Sequence, residues 1–320
     1  MSKRSCGPIP VVLILGPPRS GTSVMGRILG LHPQVGTWVE PYFVWDRDFK
    51  DAQDDCRTRW DATPVVIKRI RDSFEEFRRA LAVTWVVDKS PRSCLRVPFV
   101  MEVFPEARYL FLVRDGRDSV LSMARQWDTK KSVVDGLQGG KDTKARIRLL
   151  MRWLRRQPLW RYRLRALLFE IGSPREFLEG GFLSRRRWAG GFGWGPRFQG
   201  WADLMGRVSE LEFAAHQWLH CAEGVLQGLR MVPQEQRLLL RYEDFISDHE
   251  EILRKIFSFL GLELPQGFMQ RIPNIMSKNA GKWQREFSMN QLRQLGPIIQ
   301  KTLWELGYAQ DEAWFQGLDS

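Results

Sequence analysis

The sequence predicts an α/β fold with three layers, in which a central parallel sheet of about four to five strands lies between helices. Two observations predict this fold. Short apolar runs recur along the 320-residue chain at 11–15, 83–87, 108–113 and 237–241, and such runs are typical of strands buried on both faces. After each of the first three runs a loop leads into a helical pattern, which indicates parallel strands joined by right-handed crossovers.

The first run, 11–15, leads into a loop whose spacing is typical of a phosphate site. From Gly16 to Ser23 the chain reads G-x-x-x-x-G-T-S, nearly the G-x-x-x-x-G-K-[ST] of a Walker A loop. Thr22 stands where that motif has the Lys that contacts β- and γ-phosphates, and the basic residue is Arg19 instead. Turn N–H groups and a helix N-terminus favour an anion. The sequence therefore predicts a P-loop-type fold whose loop holds a phosphate, but not that of a nucleoside triphosphate.

The following elements bring further polar residues to strand ends. In order, they are a short strand at 35–39 leading to Glu40, a helix at 64–82, a strand at 83–87 ending in Asp88-Lys89-Ser90-Pro91, and a strand at 108–113 ending in Arg114. Carboxyl ends of parallel strands share one edge of a sheet, so Lys89 and Arg114 should lie near the loop. Ser122 lies about two helical turns beyond the last strand, where it and Arg114 can contact one anion.

The second half of the chain is interrupted by a large insertion, at 128–202. Its parts are a predicted loop at 128–142, a basic helix at 145–169 and a segment rich in Gly, Arg and Trp at 172–202. After it the sequence predicts a helix at 207–230, a strand at 237–241, a helix at 248–260, a polar loop at 274–288 and a last helix capped by Ser288.

Positive charge is concentrated in the insertion. The net charge is +12, and the segment from Lys144 to Arg187 holds 13 basic and three acidic residues. Such a cluster indicates an anionic partner. An acceptor lid, a peripheral membrane face and a solvated face without ligand are the alternatives, and nucleic acid is the unlikely one. Trp188, Trp194 and Trp201 either stack on an acceptor or pack in the core.

Several classes of protein are disfavoured by the sequence. No apolar run approaches the roughly 18 residues of a membrane span, and residues 1–8 lack a signal-peptide pattern, so we expect a cytoplasmic protein, with peripheral membrane association as the alternative. The four cysteines are scattered, as in reduced thiols. His216 and His220 have metal-ligand spacing but no evident third ligand, so no metal is expected.

Taken in order, the motifs resemble those of sulfotransferases that use 3′-phosphoadenosine 5′-phosphosulfate (PAPS). Residues 18–23 (PRSGTS) resemble the 5′-phosphosulfate loop of that family, and 114–122 (RDGRDSVLS) its 3′-phosphate motif. Asp88-Lys89-Ser90-Pro91, Arg241-Tyr242-Glu243-Asp244 and Gly281-Lys282-Trp283 resemble its other elements. The likeness runs from about residue 11 to 308 and is greatest to the group of tyrosylprotein and bacterial PRSGT-type enzymes.

The resemblance implies a single sulfotransferase domain over 1–320, with PAPS as cosubstrate, 3′-phosphoadenosine 5′-phosphate (PAP) as product and no metal. The implied nucleotide-binding residues are Pro18, Arg19, Ser20, Gly21, Thr22, Ser23, Arg114, Ser122, Lys278, Gly281, Lys282 and Trp283. The implied catalytic residues are Glu40, Arg19 and Lys89. Phenol and steroid sulfotransferases use a His between the two main motifs, and this chain has none there, so Glu40 is the implied general base.

Two other functions stay open. A P-loop kinase or NTPase is one, because Val83 to Asp88 resembles a Walker B strand. A non-catalytic protein that binds nucleotides or anionic surfaces is the other. The residues do not identify the acceptor, which ranges over tyrosine, a sugar hydroxyl, a lipid headgroup and a small molecule. Glu40, Lys89 and Arg114 each have a purely structural alternative: a surface residue, a salt bridge, and an ion pair with Asp118.

Overall fold

The structure is a computed structural model, and it describes residues 7–139, 159–171, 188, 193–273 and 280–316. Within these residues the sheet has five strands, all parallel. The strands are β1 (Val11–Leu15), β2 (Val35–Val39), β3 (Trp85–Lys89), β4 (Arg108–Val113) and β5 (Arg237–Arg241), and their order in the sheet is β2-β3-β1-β4-β5. The predicted parallel sheet is confirmed, with the phosphate-loop strand at its centre.

Helices connect the strands and flank the sheet. They are α1 (Thr22–Leu29), α2 (Tyr42–Trp45), α3 (Pro64–Leu81), α4 (Val97–Val103), α5 (Gly116–Gly139), α6 (Trp160–Ile171), α7 (Trp201–Leu204), α8 (Glu210–Met231), α9 (Tyr242–Ser247), α10 (His249–Leu260), α11 (Trp283–Glu286), α12 (Met289–Glu305) and α13 (Ala313–Gln316). A 3₁₀ segment, Pro91–Arg96, links β3 to α4.

The central strand shows why the fold has three layers. Val11, Leu13 and Leu15 point into one apolar cluster, which includes side chains of α3, α4, α8 and α12. Val12 and Ile14 point into a second cluster, which includes side chains of α1 and α10. Successive strand residues face opposite sides, so an uninterrupted apolar run is the pattern that a strand covered on both faces requires.

Local signals begin the long helices where the sequence indicates. Ser288 accepts a hydrogen bond from the Gln291 N–H and caps α12, as predicted. Thr63 caps α3 in the same way, with Pro64 at the first helical position. Ser209 and Glu212 form a capping box at the start of α8.

One predicted loop is wrong over most of its length. Residues 128–139 continue α5, which runs to Gly139, because no proline interrupts the chain after Gly116 and an internal glycine weakens a helix without ending it. Of the basic helix predicted at 145–169, α6 covers 160–171, and residues 140–158 lie outside the described part. The strand predicted at 83–87 begins at Trp85 and ends at Lys89.

Candidate active site

The loop between β1 and α1 has the geometry of an anion cradle. Arg19 and Gly21 have left-handed backbones, with φ of 69° and 94°. Gly21 precedes α1, and no side chain caps that helix. A Cβ at Gly21 would lie 2.5 Å from the Tyr242 ring, so the turn needs glycine for space as well as for φ. Ser20 donates its hydroxyl to the Pro17 carbonyl at 2.7 Å and so braces the loop from within.

The two predicted phosphate clusters meet through direct hydrogen bonds. Arg19 donates from Nε to Ser122 Oγ at 2.9 Å, and Arg114 donates to the Arg19 carbonyl oxygen at 3.0 Å. The Arg114 guanidinium also lies over the Tyr242 ring, 4.8 Å from its centroid. Desolvation and the positive charge of Arg114 lower the pKa of Arg19. Two cations held this close together repel each other, and an anion between them would remove that repulsion.

A cavity of about 300 Å³ lies between these clusters. Its lining is rich in cations, hydroxyls and loop backbone: Arg19, Gly21, Thr22, Ser23, Val24, Arg114, Asp118, Leu121, Ser122, Arg125, Tyr242 and Lys282. Seven predicted nucleotide-binding residues are therefore brought together. Pro18, Ser20, Gly281 and Trp283 lie in the adjoining backbone, and Lys278 falls outside the described residues. The main anionic member is Asp118, which is buried.

Asp118 attaches residues 281–283, which we call the C-terminal segment, to this cavity. One carboxylate oxygen accepts the Gly281 N–H at 2.7 Å, and the other accepts the Trp283 N–H at 3.0 Å. These bonds place Lys282 at the cavity wall. Burial raises the pKa of Asp118, while these two N–H groups and Arg114, 3.6 Å away, act in the opposite direction. Asp118, which we expected only as an ion partner of Arg114, is thus the anchor of the segment.

Aromatic stacking holds the same segment from its outer side. The Arg117 guanidinium lies 3.9 Å from the centroid of Trp283 and 5.1 Å from that of Trp314. Arg117 also pairs with Asp115 and donates to the Tyr308 carbonyl oxygen, both at 2.8 Å. The first turn of α5 therefore contacts both the cavity and the C-terminal helices.

Glu40 and Lys89 form an ion pair at the carboxyl ends of β2 and β3. Lys89 has only 3% of its side chain exposed, and Glu40 has 28%. The backbone joins them as well, because the Glu40 N–H donates to the Lys89 carbonyl oxygen at 3.0 Å. Strand β2 ends at Val39, directly before Glu40, and so places Glu40 at this edge of the sheet. Neither residue lines the cavity, although Lys89 is paired in register with Ile14 of β1, next to the loop.

Three other candidate residues have structural partners. Asp88, the proposed Walker B acid, is buried and accepts hydrogen bonds from Ser90 Oγ at 2.7 Å and Trp45 Nε1 at 2.9 Å, and burial raises its pKa to about 7. An acid held in this way is not directed at a nucleotide. His216 and His220 stack on Phe198, with ring centroids 6.3 and 4.5 Å apart. Among the described residues, His, Cys, Asp and Glu side chains form no cluster of three that could hold a metal.

The insertion is bound to the core where the structure describes it. Trp188 and Trp201 are each 6% exposed and lie in the main apolar cluster, so core packing is the correct alternative for both. Arg161 and Arg165 of α6 pair with Glu76 of α3. These two members of the basic segment therefore serve an internal contact. Of the helices in the described ranges, none has the length and apolar character needed to span a bilayer.

Arg125 and Tyr242 line the cavity with polar groups that the sequence did not predict there. Arg125 lies three residues beyond Ser122 on α5, a spacing that places both on one helix face, and this signal was available. Tyr242 follows β5 within the Arg241-Tyr242-Glu243-Asp244 motif, to which the resemblance assigned no binding role. Its ring packs against Gly21 at the cavity wall, a contact that depends on β5 being next to β4 in the sheet.

The fold is P-loop-like, with a cavity rich in phosphate-type donors, and the model of the sulfotransferase family matches residues 10–170, half of the chain. The chain belongs to the sulfotransferase family.

Curated relatives match the chain over only part of their length. Protein-tyrosine sulfotransferase A of Caenorhabditis elegans is 33% identical over 125 residues, which is 36% of this chain and 33% of that protein. Human protein-tyrosine sulfotransferase 1 is 28% identical over 130 residues, 36% of this chain and 34% of that protein. The matched region thus spans about a third of the length of these relatives.

Solved structures agree on the fold. The sulfotransferase domain of the Synechococcus PCC 7002 olefin synthase has a TM-score of 0.54 and 16% identity, and the likeness covers 95% of this chain and 96% of that one. The sulfotransferase domain from the curacin biosynthetic pathway has a TM-score of 0.53 and 14% identity, and the likeness covers 95% and 99% of the two chains. At these identities the likeness shows the fold, which is P-loop-like.

Proposed function

We propose that this protein transfers a sulfuryl group from PAPS to a hydroxyl acceptor. The observation that carries the proposal is the single cavity in which the phosphate loop and the Arg114–Ser122 cluster meet. A nucleoside triphosphate has one chain of phosphates, whereas PAPS has two separate anionic groups, and two joined clusters suit the second arrangement. Family membership supports the same reaction.

The residues fit such a nucleotide by their chemistry. Guanidinium and ammonium groups, hydroxyls and loop N–H groups are the donors that phosphate and sulfate oxygens need. The repulsion between Arg19 and Arg114 also favours an anion at this place. In our proposal the loop with Arg19 holds the phosphosulfate, Arg114 and Ser122 hold the 3′-phosphate, and Lys282 closes the cavity. The roles of Pro18, Ser20 and Lys278 stay predictions.

In this proposal the protein contributes to the reaction by positioning the two substrates and by compensating the negative charge of the transition state. PAPS, when bound, supplies the sulfuryl group, which we expect to transfer in line through a loose transition state, as phosphoryl groups do. Lys89 and Arg19 are proposed to stabilise the charge that develops on the oxygens. Glu40 is proposed to accept the acceptor proton. Its ion pair with Lys89 places base and cation together at the carboxyl edge of the sheet.

The acceptor is proposed as a hydroxyl, with a tyrosyl phenol as the first to test. This choice rests on the names of the relatives, protein-tyrosine sulfotransferases. We propose the insertion, 128–202, as the lid that selects the acceptor. Membrane association through 144–187 stays a prediction, and sedimentation with anionic vesicles at low and high salt would test it.

Two measurements test the function. Calorimetric titration with PAP should give binding without Mg²⁺, and labelled PAPS should transfer its label to an acidic tyrosyl peptide or another hydroxyl in an acceptor panel. Glu40→Ala should lose transfer and keep PAP binding. Mg²⁺-dependent ATP hydrolysis without PAP binding would overturn the proposal in favour of a kinase or NTPase. Full transfer by Glu40→Ala would refute the base assignment alone.

A further inference from the structure

The backbone at Glu40 is strained and must be held in place. Glu40 has φ of 52°, a left-handed conformation that a residue with a side chain adopts only when its surroundings impose it. One restraint is the hydrogen bond from its N–H to the Lys89 carbonyl oxygen. A second is the ion pair of its side chain with Lys89, and a third is at its own carbonyl oxygen, which accepts the Tyr42 N–H at 2.7 Å. Whatever fixes Tyr42 therefore helps to fix the Glu40 backbone.

Arg92 covers the Tyr42 ring. Its guanidinium carbon lies 3.7 Å from the ring centroid, which is the stacked geometry of a cation–π contact. The side chain of Arg92 is 15% exposed, so this contact is largely desolvated. Tyr42 begins α2, a helix of four residues that has no side-chain cap. A helix this short does not hold itself in place.

A buried ionic network aims Arg92 at that ring. Arg92 pairs with Asp46 at 2.8 Å and with Asp55 at 3.4 Å. Each of these aspartates also has another buried cation, because Asp46 pairs with Arg96 and Asp55 pairs with Arg197. Arg92 is thus not the sole counter-ion of either carboxylate. What it adds that Arg96 and Arg197 do not is the contact with Tyr42.

We propose that Arg92 is a positioning residue, which holds Glu40 in its strained conformation by stacking on Tyr42. The inference rests on the proposed function only in its assignment of Glu40 as the general base. The mechanical part, from Arg92 through Tyr42 to the Glu40 backbone, stands on the contacts above. Arg92 touches no part of the nucleotide cavity, so it acts on catalysis without acting on nucleotide affinity.

The test compares Arg92→Met, which keeps an unbranched apolar stem and removes the guanidinium, with Arg69→Met as the matched control. Arg69 also supports α2, through the Val44 carbonyl oxygen at 2.7 Å, but does not stack on Tyr42. Hydrogen exchange at the Glu40 and Tyr42 amides should quicken about tenfold in Arg92→Met and stay unchanged in Arg69→Met. Unchanged exchange in Arg92→Met overturns the proposal, with or without a known acceptor.

Kinetics separate a positioning role from a loss of folding. With labelled PAPS and the acidic tyrosyl peptide, Arg92→Met should lower kcat about tenfold and leave KM for PAPS and the Kd of PAP unchanged. Arg92→Lys should recover part of the rate, since it keeps a positive charge beside Asp46. Tyr42→Phe should behave as the wild type, because it keeps the ring that Arg92 covers. A parallel loss of PAP affinity or of thermal stability would show a merely structural role.

The two proposals fail in different ways. If Glu40→Ala is inactive while Arg92→Met has full kcat, the positioning inference is wrong and the proposed function stands. If Glu40→Ala is fully active while Arg92→Met still loosens the Glu40 amide, the base assignment is wrong and the mechanical link stands.

Discussion

Replacing Asp118 by Asn tests how the C-terminal segment contributes to nucleotide binding. The carboxylate accepts the N–H groups of Gly281 and Trp283 with its two oxygens. An Asn side chain has one acceptor oxygen and turns an NH₂ donor toward the other N–H, so at least one bond is lost. A hydrogen bond to a charged group contributes about 1.5–3 kcal/mol, which corresponds to a change of about 10- to 150-fold in the docking equilibrium of the segment.

The change in the docking equilibrium lowers nucleotide affinity only as far as it leaves a fraction of the molecules with the segment undocked. Apparent affinity falls by the fraction of molecules in the competent state, so we expect the Kd of PAP to rise about tenfold in Asp118→Asn. Because the segment delivers Lys282 to the cavity, Lys282→Ala should remove most of the same benefit. The double variant should therefore bind PAP little worse than either single variant, which is the non-additivity of coupled residues.

Calorimetric titration of PAP on the four proteins of this cycle measures the coupling. Hydrogen exchange at Gly281 and Trp283 is the control, since Asp118 also pairs with Arg114 at 3.6 Å. If Asp118 worked only through Arg114, these two amides would keep their protection in Asp118→Asn. Additive losses in the double variant, or PAP affinity within about twofold of the wild type, would refute the reasoning.

Three further predictions concern stability. Gly21→Ala places a Cβ 2.5 Å from the Tyr242 ring at φ of 94°; we expect urea denaturation to show a loss of about 1–3 kcal/mol, with Gly7→Ala, which meets nothing within 4 Å, as control. Gly224→Ala puts a Cβ 1.9 Å from the Cys94 carbonyl oxygen. Because this clash forces α8 away from the 3₁₀ segment, the Tm measured by calorimetry should fall by more than about 5 °C. Burial lowers the pKa of His216 and His220, so the folded state disfavours the protonated rings and stability should fall as pH drops below about 6.5. Urea denaturation at pH 7.5 and 5.5 should show a smaller drop in midpoint for the double variant His216→Gln/His220→Gln than for the wild type. An equal pH dependence of the two proteins would contradict this prediction.

The fold was predictable because its signals are local. A strand buried on both faces needs a short apolar run, and the runs at 11–15, 108–113 and 237–241 became β1, β4 and β5 without change. The start of a helix was indicated by a capping residue, such as Ser288 at the N-terminus of α12. The loop predicted at 128–142 is wrong over residues 128–139, because polar residues and an internal glycine do not end a helix that no proline interrupts. The order of the strands is set by packing between distant segments, and no single run encodes it.

The candidate site was predictable as a set of residues but not as a network. The loop and the Arg114–Ser122 motif could be read from spacing and resemblance. That Arg19 would bond to Ser122, 103 positions away, depends on β1 lying next to β4. The anchoring role of Asp118 and the stacking of Arg92 on Tyr42 depend in the same way on tertiary contacts, which periodicity and composition do not reveal.

The strand order divides the site into two halves that can change independently. The groups proposed to hold the nucleotide lie on β1 and on the β4–β5 side, which the C-terminal helices brace through Arg117. Glu40, which is proposed to act on the acceptor, lies on the β2–β3 side, where it pairs with Lys89. If these proposals hold, we expect substitutions around α2 and the insertion to change the choice of acceptor while donor affinity is kept. The central strand is the one element that both halves share, and it is where variation should be least tolerated.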